Sequence, residues 1–143
     1  MHVQNALTPN AEQMRGFQEG DTDTPIYMLN LLKFREKALY ADGRVTDATG
    51  AEAYGIYSQE TAGHVEKVGG KILFNGSISR LMLGEVEELW DTAALVMYPS
   101  RKAMLAMIQD QAYQASANDS WMEGLRSTTE HCKECHLLFA III

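Results

Sequence analysis

The residues in this sequence best placed to do chemistry begin with the run Pro99-Ser100-Arg101-Lys102. Ser100 is suited to cap a helix, which puts Arg101 and Lys102 in its first turn. Cations there oppose the partial positive charge of the free helical amides, at about 0.3–1 kcal/mol each. A local rule broken twice in succession implies a compensating negative group. Arg101, together with Ser100 and the amides of that turn, can hold a carboxylate, phenolate or enolate. A salt bridge to Asp91 or Glu88 would satisfy it equally well.

Asn30, Tyr54, Tyr57, His64 and Tyr98 form a second set. Cofactor-free oxidation or enolisation needs a base to take a proton and donors to hold the resulting oxyanion. His64 can move that proton near neutral pH. Asn30 sits in an apolar run, where an unpaired amide costs about 1–3 kcal/mol, so it needs a partner or a ligand. His64 and Arg101 are therefore the catalytic candidates. The ligand-binding candidates are Asn30, Tyr54, Tyr57, Arg80, Trp90, Tyr98 and Ser100. Each has a structural alternative: Tyr54 and Tyr57 as core aromatics, His64 as a satisfied structural residue, Trp90 as an end cap, and Asp91 as an anchor for a loop or for Arg101.

Cys132, Cys135 and His136 have the Cys-x-x-Cys-His spacing of covalent haem attachment, and with His131 they also offer zinc ligands. Four ligands within six residues are cramped for a tetrahedral ion, and no export signal accompanies the motif. A thiol pair is a further alternative. The reading that fits is no bound cofactor. No phosphate-binding Gly loop, HExxH, GxSxG or dinucleotide fingerprint is present.

Positioning these groups falls to 143 residues, 46% of them apolar, which is one domain with a real core. A net charge of -7 argues against nucleic acid or anionic lipid as the partner. No run reaches the ~20 apolar residues of a membrane span, and a cytoplasmic location is expected. Thr8 and Pro9 predict a short first helix ending at Gly20, within an N-terminal helical extension over 1–24. The remaining 25–143 form the body. Residues 26–34 predict a strand apolar on both faces, 51–67 a helix stopped by Gly69-Gly70, and 71–83 a strand with a bulge near Ser79 and Arg80. Residues 90–98 predict a third strand antiparallel to the second, with helices from Ser100 and over 111–125, then a last strand at 137–143. After the first helix the order is β-α-β-β-α-β, an α+β arrangement of the ferredoxin-like type.

The segments PIYMLNLLKFREKALY (25–40), TGAEAYGIYSQ (49–59), GGKILFNGSIS (69–79) and WDTAALVMYPSRKAMLAMIQDQAYQ (90–114) resemble the DUF1330 family of small proteins of unknown function. The resemblance implies a dimeric α/β barrel. Its structural relatives include cofactor-free monooxygenases, lactone isomerases and haem-handling enzymes. Two main helices can cover one sheet face, and a second copy is the economical cover for the other, giving a homodimer packed sheet against sheet. The expected function is to bind, and in the enzymatic version to oxidise or isomerise, a small aromatic or enolisable molecule without a nucleotide cofactor. The alternative is a non-enzymatic sensor or dimeric scaffold.

Overall fold

Strand β1, Ile26–Leu32, organises the molecule because its two faces meet different surroundings. Ile26, Met28, Asn30 and Leu32 are buried, while Leu29 and Leu31 are half-buried and Tyr27 is exposed. Side chains alternate along a strand, so the first set faces one layer and the second faces away from it. The computed structural model describes residues 9–38, 45–86, 88–116 and 137–142.

Besides β1 the elements are helices α1 (Ala11–Gln18), α2 (Gly50–Lys67), α3 (Arg101–Gln109) and α4 (Gln111–Ser116), and strands β2 (Lys71–Ser77), β3 (Thr92–Tyr98) and β4 (Leu137–Ile142). The sheet order is β2-β3-β1-β4 with every neighbouring pair antiparallel. β1 is thus an interior strand. In register, Met28 faces Val96, Asn30 faces Ala94 and Leu29 faces Leu95, which in turn faces Phe74 on β2. Directly paired residues share a face. One face is covered by helices: Ile26, Met28 and Tyr98 pack with Val65 of α2 and Met107 of α3, ringed by Phe17, Val68, Val96, Met104 and Tyr113. The opposite face carries Tyr27, Leu29, Leu31, Leu95, Met97 and Phe74, of which Tyr27 is 39% and Phe74 56% exposed.

The helix ends follow from local chemistry. Asn10 and Gln13 form a reciprocal capping box on α1, and Thr49 and Glu52 do the same on α2. The Thr49 amide and hydroxyl hold the Glu52 carboxyl below its usual range. Ser100 caps α3 by accepting from the Ala103 amide at 3.0 Å. α2 ends where Gly69 adopts φ +78° and the Gly70 amide returns to the Val65 carbonyl at 2.8 Å.

The α+β class stands, but the ferredoxin-like, dimeric α/β barrel is corrected by this sheet. The sheet is open, with β2 and β4 at its edges. Closing a barrel requires the outermost strands to find hydrogen-bonding partners. Among the described residues β2 instead has β3 as its one strand partner, and its ladder shifts register between Ile72 and Phe74. A second correction concerns β2 itself. The pattern over 71–83 predicts a strand bulged near Ser79 and Arg80, yet the strand ends at Ser77 and its irregularity lies at Ile72/Phe74. Met82 and Leu83 are 88% and 90% exposed in the following loop. The helix expected over 111–125 is described to Ser116, and residues 117–136 lie outside the described residues. The first helix is capped by Asn10; Thr8 lies outside the described residues.

Gly50 opens α2 against the backbone of Arg35: its amide donates to the Arg35 carbonyl at 3.1 Å, and a Cβ there would sit 2.8 Å from Arg35 N and O. Neither backbone atom can move as a side-chain tip would. Gly50→Ala is expected to destabilise the protein by about 1–3 kcal/mol, the range for forced overpacking, read as a lower urea midpoint at unchanged slope.

Candidate functional site

The aromatic and imidazole candidates gather on the helix-covered side. Tyr54 and Tyr57 stand one turn apart on α2, their ring centroids 5.6 Å apart, and Tyr54 also meets Phe34 just past β1 at 5.4 Å. Tyr57 shares a hydrogen bond of 3.1 Å between its hydroxyl and that of Tyr113 on α4. His64, two turns further along α2, meets Tyr113 edge-on at 5.6 Å and 79°. Tyr98 is buried in the core cluster that Tyr113 packs against. Tyr113 therefore joins α4 to two points on α2. Tyr113 falls within the helix expected over 111–125, and nothing in the sequence signals its role, because its contact to Tyr57 spans 56 residues.

Burial is the first cause acting on these hydroxyls. It pushes Tyr54 up to about 12, with a smaller contribution from neighbouring Tyr113. Tyr57 and Tyr98 are also pushed upward, again by burial first and then by Tyr113. The three phenols accordingly stay protonated across the physiological range. They are hydrogen-bond donors and not bases, the role required for holding a carbonyl or oxyanion.

Arg101 is engaged with α1. Its Nη1 donates to the carbonyls of Phe17 at 3.2 Å and Glu19 at 2.8 Å, and its guanidinium lies 5.7 Å from the centre of the Phe17 ring. Lys102 pairs with Asp23 at 2.8 Å. The negative end of α1 and the Asp23 carboxylate thus answer the two cations in the first turn of α3. Asn30 is 8% exposed on the helix-covered face. Its amide nitrogen reaches the Met28 and Ala94 carbonyls at 3.4 Å each, long hydrogen bonds that leave it weakly held.

Arg80 is exposed and Trp90 half-buried in the β2–β3 connection. Asp91 anchors this end. Its carboxylate accepts from the Phe34 amide at 2.8 Å and from Lys33 Nζ at 3.2 Å, while its amide donates to the Leu32 carbonyl at 2.8 Å. Burial acts to lower the Lys33 pKa, but hydrogen bonds to Asp91 and Glu88 outweigh it, so the net shift is upward. Cys132, Cys135 and His136 lie outside the described residues. Among the described residues no group of three or more His, Cys, Asp or Glu is placed to hold a metal ion. The structure therefore brings together Tyr54, Tyr57, His64 and Tyr98 and adds Tyr113. It sets Arg101 with Ser100 at the α1–α3 contact and Arg80 with Trp90 in the connection between β2 and β3.

The chain is similar to a solved protein of unknown function from Rhodopseudomonas palustris, RPA0582, with 27% identity and a TM-score of 0.75 over 97% of this chain and 96% of that one. A second structure, of methylated RPA0582, gives 29% identity and a TM-score of 0.76, covering 98% and 95%. No family model matches the chain, and no curated protein does. No helix among the described residues is long and apolar enough to cross a membrane.

Two measurements follow from the tyrosine row. Replacing Tyr57 or Tyr113 by Phe removes their shared hydrogen bond. A double-mutant cycle of Tyr57→Phe with Tyr113→Phe is expected to give a coupling of about 0.5–1.5 kcal/mol. The pH dependence has a fixed sign. Tyr54 is raised from 10.0 to about 12 in the fold, so the unfolded chain ionises first. Its stabilisation is complete below pH 10.0 and is lost as pH rises toward 12, with Tyr57 and Tyr98 acting in the same direction. Absorbance at the phenolate band should show these three ionising together with alkaline unfolding.

Proposed function

We propose that this protein works as a homodimer that binds a small aromatic or enolisable molecule bearing an oxygen acceptor, without a nucleotide cofactor. The observation that carries the reading is the second sheet face. Tyr27 and Phe74 are exposed there, beside half-buried Leu29, Leu31, Leu95 and Met97. Apolar surface gathered on one face of a sheet is the mark of an interface. A second copy packed face to face is the favoured cover. Pairing through the β2 edge is disfavoured, because that strand opens on Lys71 and carries an irregularity at Ile72/Phe74, both of which blunt an edge.

The tyrosine row supplies the chemistry for the ligand. Protonated Tyr54 and Tyr98 offer donors in apolar surroundings, Tyr57 shares its hydrogen bond with Tyr113, and the imidazole of His64 stands at the end of the row against Tyr113. In an enzymatic version His64 moves the proton, while Arg101, Ser100 and Asn30 hold the oxyanion. A non-enzymatic sensor or dimeric scaffold is the second reading, and one observation favours it. The Arg101 Nη1 and the Asn30 amide nitrogen already donate to main-chain carbonyls, and the Ser100 hydroxyl already caps its helix. Substituting alanine at Asn30 and at Arg101 separates the two: loss of turnover supports catalysis, and unchanged ligand binding supports the sensor.

Light scattering tests the assembly. The native chain should give twice its 16.0 kDa mass at micromolar concentration. Leu95→Glu and Phe74→Glu, which place a charge on the second face of an already acidic chain, should return the 16.0 kDa monomer.

A further inference from the structure

Helix α1 is joined to the body in an unusual way. None of its residues is fully buried, and Met14 and Phe17 are half-buried. An isolated eight-residue helix is unstable in water, so α1 exists because it is docked. Its docking rests on a few contacts at the start of α3. Phe17 packs against the core cluster that contains Ile26 and Tyr98, Arg101 holds the Phe17 and Glu19 carbonyls, and Lys102 holds Asp23 and donates its amide to Thr22 O at 3.4 Å. Between α1 and these last contacts stands Gly20 at φ +77°, a backbone state that glycine adopts freely, with nothing within 4 Å of where a Cβ would be. Arg101 Nε is buried and has no hydrogen-bond partner, so the latch is held by Nη1 and by its contact with the Phe17 ring.

We infer that α1 is a strap closing one end of the aromatic core, with Gly20 as its hinge and Arg101 as its latch, and that its release opens the seat of Phe17 as the way in to Tyr98. The strap undocks and melts as one unit while β1 and β3 stay folded. A small aromatic ring can replace that of Phe17 in the vacated seat, with the freed guanidinium beside it to pair with a phenol oxygen. This last step rests on the tyrosine row being the ligand site; the motion of the strap does not.

Hydrogen exchange on the full chain, without ligand, tests the strap. Arg101→Gln should speed exchange of the amides of residues 14–19 by about tenfold or more, as expected when a charged hydrogen bond is lost, with β1 and β3 unchanged. Gly16→Ala, at a position where a Cβ meets nothing within 4 Å, should slow the same amides by about fivefold through helix propensity alone. Unchanged exchange in Arg101→Gln would overturn the latch. Acceleration of β1 and β3 in step with α1 would overturn the independent strap. Nitration by tetranitromethane, mapped by mass spectrometry, tests the entrance: Tyr98 should react several-fold faster in Arg101→Gln and Tyr54 at its native rate. An unaltered Tyr98 rate beside faster α1 exchange would refute the entrance while leaving the dimer and ligand reading to its own tests.

Discussion

An interior strand with apolar side chains on both faces demands two covers, and the rest of this structure is arranged around that demand. β1 meets it on one side with α2 and α3, which bury Ile26 and Met28 beneath Val65 and Met107. On the other side Leu29 and Leu31 run beside Leu95 and Met97. At about 25 cal/mol per Å² of apolar surface removed from water, leaving that face wet forgoes several kcal/mol, a large part of a small protein's net stability. The assembly proposed above is the consequence of that one strand.

The helix-covered face and the site cannot be separated. Tyr57 and Tyr98 are packing residues first, and burial is what keeps their hydroxyls protonated. Asn30 is a buried residue with a polar side chain that the core of the described residues holds, and its two contacts are both long. A weakly satisfied amide in the middle of a sheet is a costly feature for a purely structural layer. That cost is the reason to keep Asn30 among the residues worth testing with a ligand.

Much of the layout was legible in the sequence, and the failures have physical causes. Two-sided apolarity over 26–34 pointed to a strand with a cover on each face, though the strand ends at Leu32, and the stop at Gly69-Gly70 was correctly placed. The conflict of two cations opening α3 was visible as well, but its answer was not. Arg101 Nη1 donates to main-chain carbonyls 82 and 84 residues away, groups that carry no sequence signal. The apolar run Leu81-Met82-Leu83 imitated a strand because periodicity reports which residues are apolar, not whether anything covers them. Tyr113 escaped notice because its partners on α2 are remote in the chain. Barrel closure depends on what the strand edges pair with, which residue types alone do not specify.

The most direct test of the covered second face is paramagnetic relaxation of methyl resonances by a soluble gadolinium chelate, measured on the native protein. The account predicts that Leu29, Leu31, Leu95 and Met97 methyls are shielded as well as those of Ile26 and Val65 in the core. Strong broadening of the first group, with Ile26 and Val65 unaffected at micromolar concentration, would show a bare sheet and contradict it.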